Sequence, residues 1–352
     1  MMADRLHAVG DFRCDRVPVP VPVGRELLVR VGACGICGSD IPRIFTLGAS
    51  GPLPLTIGHE FSGTIEAVGD NADPALVGRR GCFFPLIPCR SCAACLTGHY
   101  AECDNYSYLG SRRDGGFAEY CLVPSEWHFV ESRNPHTSLE TLAMAEPACV
   151  AQHAVRRGSV HGGDTVLIFG AGPIGILAAR WASLFGAKTV LVADIVDEKV
   201  RFARDRGADA FNCLTVNPAE FVRSRSGGKL ADVVIEGTGT GAALGGCADC
   251  ARPFGTVVLM GNPGGDVSVS REQYSEILRK ELTLRSIWNS YFADLPVNEW
   301  KHTVDMFDSG TLGADDLITH RTDLPGLPAL CRDIYERRVN ICKALYVSPA
   351  AQ

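Results

Sequence analysis

Residues 165–194 read TVLIFGAGPIGILAARWASLFGAKTVLVAD, and this stretch decides the fold. The apolar run 165–169 is a strand, Gly170-Ala171-Gly172-Pro173-Ile174-Gly175 is a glycine turn opening a helix, and 189–193 is a second apolar strand ending at Asp194. G-x-G-x-x-G between a strand and a helix is the pattern of a dinucleotide-binding turn. Gly170 makes the tight turn, Gly172 lets backbone N–H groups approach a pyrophosphate, and Gly175 lets helix and strand pack closely. The helix entered through Pro173 and Ile174 turns its N-terminus toward phosphate charge. Asp194 follows about twenty residues on, where an acid binds both ribose hydroxyls of NAD. Ile195-Val196-Asp197 brings no arginine to hold a 2′-phosphate, and Asp194 repels one, so NAD is favoured over NADP. The alternative for Asp194 is a surface acid at a strand end.

Outward from this stretch, further strands at 232–236 and 255–260 continue the alternation of strand and helix. They predict a doubly wound parallel sheet, a Rossmann domain over residues 151–285. At 352 residues the chain exceeds the roughly 250–300 at which one core stops growing, so a second domain is expected. Residues 1–150, rich in Pro, Gly and short strand-like runs, are mainly β. Residues 286–352 are too short to fold alone and are assigned to the same domain as 1–150.

Composition excludes several classes of function. With 46% hydrophobic and 21% charged residues the chain is globular. Its net charge of −6 gives no reason to expect nucleic acid or anionic lipid as a partner. The first residues lack the apolar core of a signal peptide and no later run is long enough for a membrane span, so a cytoplasmic location is expected. Fifteen cysteines in such a chain are better read as thiols and metal ligands than as disulfides.

Four of them lie together in CRSCAACLTGHYAEC, residues 89–103. Cys89, Cys92, Cys95 and Cys103 follow C-x2-C-x2-C-x7-C, a spacing that wraps four sulfurs around a tetrahedral zinc at about 2.3 Å each. Such a site has no open position and holds a loop together. An iron–sulfur cluster and a chance group of thiols are the alternatives. Cys247 and Cys250 form an isolated pair, read as packed helix thiols. A second metal is suggested by CGICGSD, with Cys37, Ser39 and Asp40, and by GHEFSGTIEAVG, with His59 and Glu60. Cys37 and His59 fill two of the three protein positions of a catalytic zinc.

Over its full length the sequence resembles the zinc-dependent medium-chain dehydrogenases. GHEFSGTIEAVGDNA fits that family's zinc signature, and the four-cysteine loop and the nucleotide turn occur in the same order. The resemblance implies a β-rich GroES-like catalytic domain built from both ends of the chain, with the active site beside the Rossmann domain. It also implies two zinc ions per subunit, one catalytic and one structural. The third catalytic ligand is then Glu146, in AMAEPACVAQHA, and Glu60 exchanges with it at the metal. Glu followed by Pro is similar to the polyol and sugar dehydrogenase branch. Zinc with Cys37, His59 and Glu146 is formally uncharged and still lowers the pKa of a substrate hydroxyl. Ser39 is suited to carry the proton away, and Asp40 to orient a metal ligand. Relatives continue the relay with a histidine, where this chain reads Ile41-Pro42-Arg43.

The runs CGSDIPRIF, LGSRRDGGFAEY and ILRKELTLRSIW resemble family members that act on galactitol 1-phosphate. The expected reaction is oxidation of a secondary hydroxyl of a polyol or sugar phosphate to a ketone, with hydride passing to NAD. Arg43, Arg112 and Arg113 are candidates for the phosphate, since guanidinium groups bind it in bidentate fashion. Unphosphorylated polyols, cyclitols, cyclitol phosphates and L-threonine are the alternatives. A protein of this fold that has lost its zinc, a quinone reductase or a structural protein, is the reading from a different class. The resemblance further implies a homodimer or homotetramer.

Overall fold

The computed structural model describes residues 1–349. The chain divides into two units, Met1–Glu146 with Tyr291–Gln352, and Pro147–Ser290. The divisions fall at 146 and 290 rather than at the 150 and 285 read from the sequence, because helix Ala145–Arg157 begins before the first expected boundary.

In the second unit six strands form one sheet, in the spatial order Asp209–Asn212, Thr189–Asp194, Thr165–Phe169, Ala231–Glu236, Ala251–Leu259, Thr283–Ser286. All neighbours run parallel, with Val166 paired to Val190 on one side and Val233 on the other. Every residue of Thr165–Phe169 is buried, which is why it reads as an unbroken apolar run. Strand order reverses beside this strand, and the turn at Gly170 leaves its C-terminal end. Such a reversal is where open α/β sheets bind ligands. Strand Ala251–Leu259 starts earlier than the sequence suggests, since Ala251 pairs with Ala231 ahead of a register shift. Helix Gly241–Cys250 buries Cys247 and Cys250 as packed thiols.

The first unit is built on a seven-stranded sheet whose path is Phe129–Glu131, Arg80–Phe83, Glu60–Val68, Leu27–Gly35, Lys343–Val347, Ile318–Thr322, with Tyr120–Val123 also paired to Leu27–Gly35. Two strands from the end of the chain thus extend a sheet begun near its start. Leu27, Val29, Val31, Phe61, Ile65, Phe83, Phe117 and Tyr346 fill its core. Each such side chain contributes about 1.5–3 kcal/mol by leaving water. The fold class expected from the sequence, a β-rich domain joined to a doubly wound parallel sheet, is the one observed. Among the described residues no helix is long and apolar enough to cross a membrane.

Candidate active site

The ends of two paired strands assemble the metal-binding residues of the first unit. Cys37 follows strand Leu27–Gly35, and His59 precedes strand Glu60–Val68, with Gly35 opposite Glu60 in the antiparallel register. One ligand atom from each of Cys37, His59 and Glu60 lies within 4.8 Å of the others. His59 and Glu60 are buried, whereas Cys37 is partly open to solvent. Asp40, fully buried, accepts the Cys37 N–H at 2.9 Å and Arg43 at 2.5 Å. Its Oδ1 is 3.6 Å from His59 Nδ1. Burial alone raises the Asp40 carboxyl, but His59, Arg43 and the Cys37 N–H outweigh it and hold it below the usual range. With Nδ1 turned toward this carboxylate, the Nε2 edge of His59 is left for a metal. Ser39 is exposed, and its N–H donates to Cys37 Sγ at 3.5 Å.

Glu146 stands outside the group whose ligand atoms lie within 4.8 Å of one another, but its carboxyl feels the charges of both His59 and Glu60. It is buried in the first turn of helix Ala145–Arg157, and Tyr108 donates to its Oε1 at 3.5 Å. Burial pushes its carboxyl up to about 7 against the pull of His59, with Glu60 adding to the rise. The carboxylate brought to Cys37 and His59 is Glu60, next to His59 in the chain. Two further residues escaped sequence reasoning. Tyr108 sets its ring edge-on to His59, centroids 5.7 Å apart. Lys343 forms a buried ion pair with Glu60.

The donor types of the pocket test its fit to zinc. Sulfur, imidazole and carboxylate are the donor types of catalytic zinc, so the residues present fit the ion.

The cysteine loop gives a geometric test. Ligand atoms of Cys89, Cys92, Cys95 and Cys103 lie within 4.8 Å of one another. Cys89 Sγ and Cys95 Sγ are 3.9 Å apart. A tetrahedron with arms of about 2.3 Å has an edge of about 3.8 Å, so this pair already stands at zinc-ligand spacing. The Ser91 hydroxyl and the Cys92 N–H donate to Cys89 Sγ, and these bonds lower its thiol to about 6, favouring the thiolate that binds metal. Arg90 takes φ 62° to close the turn, and its guanidinium lies 4.5 Å over Trp127.

In the second unit, Gly170 has φ 108° and Gly172 caps helix Pro173–Leu184. A Cβ on Gly175 would stand 1.9 Å from the Gly170 carbonyl oxygen, whereas one on Gly172 would meet nothing within 4 Å. The first fact explains the close helix–strand approach, and the second leaves open space above the turn. Asp194 accepts the Ala171 N–H at 2.8 Å and the Val196 N–H at 3.0 Å, which fixes its carboxylate beside the turn.

The three candidate arginines differ. Arg43 is committed to Asp40. Arg112 stacks on Tyr106 at 3.9 Å and donates to the Tyr106 carbonyl, so it is a loop staple. Arg113 is exposed, and no described residue pairs with its guanidinium. Its loop is tied to the segment before His59, through Gly115 N–H to Thr56 O and Gly116 N–H to Gly58 O at 2.8 and 2.7 Å.

Two family models match the chain: the alcohol dehydrogenase GroES-like domain over residues 24–132 and the zinc-binding dehydrogenase over residues 173–309. Galactitol 1-phosphate 5-dehydrogenase of Escherichia coli is 35% identical over 310 residues, 88% of this chain and 89% of that one. The chain belongs to the zinc-dependent medium-chain dehydrogenases. This dehydrogenase is also 35% identical to a D-xylulose reductase of Scheffersomyces stipitis over 339 residues, 90% of each chain. The crystal structure of galactitol-1-phosphate dehydrogenase from Escherichia coli aligns with a TM-score of 0.91 at 32% identity, covering 99% of this chain and 100% of that one. A zinc-binding dehydrogenase from Sinorhizobium meliloti bound to NADP aligns at 0.87 and 30%, covering 99% of each. The dehydrogenase is thus an oxidoreductase of the polyol and alcohol group that works with zinc and a nicotinamide dinucleotide.

Proposed function

We propose that the protein oxidises a secondary hydroxyl of a phosphorylated polyol, such as galactitol 1-phosphate, to a ketone with NAD as hydride acceptor. The observation that carries this reading is the convergence of Cys37, His59 and Glu60, whose ligand atoms lie within 4.8 Å of one another. Zinc held there supplies Lewis acidity toward the substrate hydroxyl. Asp40 holds His59 in orientation, and Tyr108 sets its ring edge-on to His59 while its hydroxyl donates to Glu146. Ser39, exposed beside Cys37, takes the hydroxyl proton. Since Ile41 and Pro42 offer no titratable group, the proton leaves from Ser39 to solvent.

The turn closed by Gly170 and Gly175 receives the pyrophosphate over Gly172, where no protein atom would meet a Cβ, and Asp194 takes the ribose hydroxyls. Its carboxylate, held by two backbone N–H groups, repels a 2′-phosphate, which supports NAD. Arg113, exposed on the loop tied to Gly58, is the arginine left for the substrate phosphate. The engagement of Arg43 and Arg112 within the protein favours a second reading, an unphosphorylated polyol, and so does the likeness to a D-xylulose reductase.

The test is NADH formation with galactitol 1-phosphate beside galactitol, sorbitol, xylitol, a cyclitol phosphate and L-threonine. Preference for the phosphorylated polyol that falls in Arg113→Ala supports the first reading. Equal or better turnover of an unphosphorylated polyol overturns the phosphate assignment in favour of the second.

A further inference from the structure

Glu60 has two claimants. Its carboxylate belongs to the group with Cys37 and His59, and it is also paired with the ammonium of Lys343. The sheet brings this about. Strand Leu27–Gly35 lies between strand Glu60–Val68, which Glu60 opens, and strand Lys343–Val347, which Lys343 opens. Gly35, having no side chain, leaves the gap in which the two long side chains meet. A Cβ there would stand 2.1 Å from Glu60 Oε2 and 2.8 Å from Lys343 Cε. The paired side chains are 4% and 2% exposed. Two ions taken this far out of water are a costly arrangement and need close, well-satisfied contact to persist. Arg43 does not replace Lys343, because it is committed to Asp40.

We propose that Lys343 is a positioning residue that governs how strongly Glu60 can hold the catalytic metal. By engaging Oε2, its ammonium draws off part of the carboxylate's charge, so that Glu60 would hold a metal less strongly. A coordination position can then be given up to the substrate hydroxyl. Without the ammonium, the full negative charge of Glu60 falls to the metal, closing that position and reducing the Lewis acidity that the reaction needs. This inference rests on reading Cys37, His59 and Glu60 as the metal group.

The experiment uses the full chain with both metals exchanged for cobalt. Visible absorption, metal content and the rate of metal loss to a chelator are recorded for wild type, Lys343→Met, Lys343→Arg, Glu60→Gln and the double variant Lys343→Met/Glu60→Gln. Added imidazole probes the open coordination position. In wild type, the bands of the catalytic cobalt shift with imidazole. In Lys343→Met the shift is lost, metal loss slows about tenfold and kcat falls about tenfold, of the order seen when groups around metal ligands are altered. Lys343→Arg keeps most of the wild-type response, and the double variant regains the imidazole shift because no carboxylate remains to close the position. Wild-type bands and loss rate in Lys343→Met, or a double variant no more responsive than Lys343→Met, overturn the proposal. If Lys343→Met does not fold, Glu60→Gln and the double variant still decide: they match if Lys343 acts through Glu60 and differ if it does not. A wild type that binds only the cysteine-loop cobalt overturns the metal assignment itself, an outcome distinct from failure of Lys343's role.

Discussion

His59 Nδ1 stands 3.6 Å from Oδ1 of Asp40, a carboxylate with no exposure to solvent. That carboxylate also receives the Cys37 N–H and the Arg43 guanidinium, so one acid positions two residues of the metal group. Asp40→Asn keeps the shape but loses the charge that orients the imidazole. Zinc affinity at the catalytic site is expected to fall about 10–100-fold, read by chelator competition, with the cysteine-loop zinc retained. Unchanged affinity would sink this role for Asp40.

The cysteine loop anchors an aromatic cluster in the same unit. Trp127 lies under Arg90 of the loop and 4.8 Å from Phe292, and Phe292 stacks on Phe84 at 4.2 Å. Cys92→Ser is expected to take zinc content from two ions to one, change tryptophan emission and lower the melting temperature by roughly 5–10 °C. Two zinc ions in the variant would show that these cysteines do not hold a structural metal.

At the nucleotide turn the prediction concerns cofactor choice. Asp194→Ala removes the proposed acceptor of the ribose hydroxyls and the proposed repulsion of a 2′-phosphate, together with the bonds from the Ala171 and Val196 N–H groups. The ratio of kcat/KM for NAD to that for NADP should fall roughly tenfold to a hundredfold. A wild-type enzyme that already prefers NADP, or a variant with the same ratio, would contradict the assignment.

Most of this second unit is legible in the sequence, because a parallel strand covered on both faces must be apolar throughout and the glycine turn has few substitutes. The cysteine loop is legible too, since all four ligands lie within one short segment. What the sequence does not show is which carboxylate reaches Cys37 and His59. Glu60 and Glu146 are both acids in plausible contexts, and how near each stands to Cys37 and His59 depends on the pairing of Gly35 with Glu60 and on where helix Ala145–Arg157 begins. Lys343 is harder still. It is one lysine in ICKALYVS, and the sole hint is a charge opening a strand whose every residue is buried. Arg43, a phosphate candidate in the sequence, is the opposite case, since its guanidinium donates to Asp40 three residues away.

A buried acid far from any assigned role yields a pH prediction. Asp4, on strand Met2–Ala8, is fully buried opposite Cys14, and burial pushes its carboxyl from 3.8 up to about 8. The folded state therefore keeps the proton and the unfolded state releases it. Stability from this group is intact below about pH 4 and is lost as the pH rises toward 8. Asp4→Asn cannot ionise, so it should be more stable than wild type at pH 8 and similar at pH 4, measured by denaturant unfolding. A gain of the same size at both values would rule out ionisation as the cause.

The sheet of the first unit also imposes an order on biosynthesis. Cys37, His59 and Glu60 leave the ribosome early, while Lys343 is made only with the strand that completes their sheet. A nascent chain thus carries the metal ligands with Glu60 unrestrained, and it acquires the opposing ammonium after the rest of the protein has been synthesised. A premature stop before Lys343 would remove both the residue that faces Glu60 and the buried strand that joins Leu27–Gly35 to Ile318–Thr322, so metal retained by the cysteine loop would be a poor measure of intact enzyme in a cell extract.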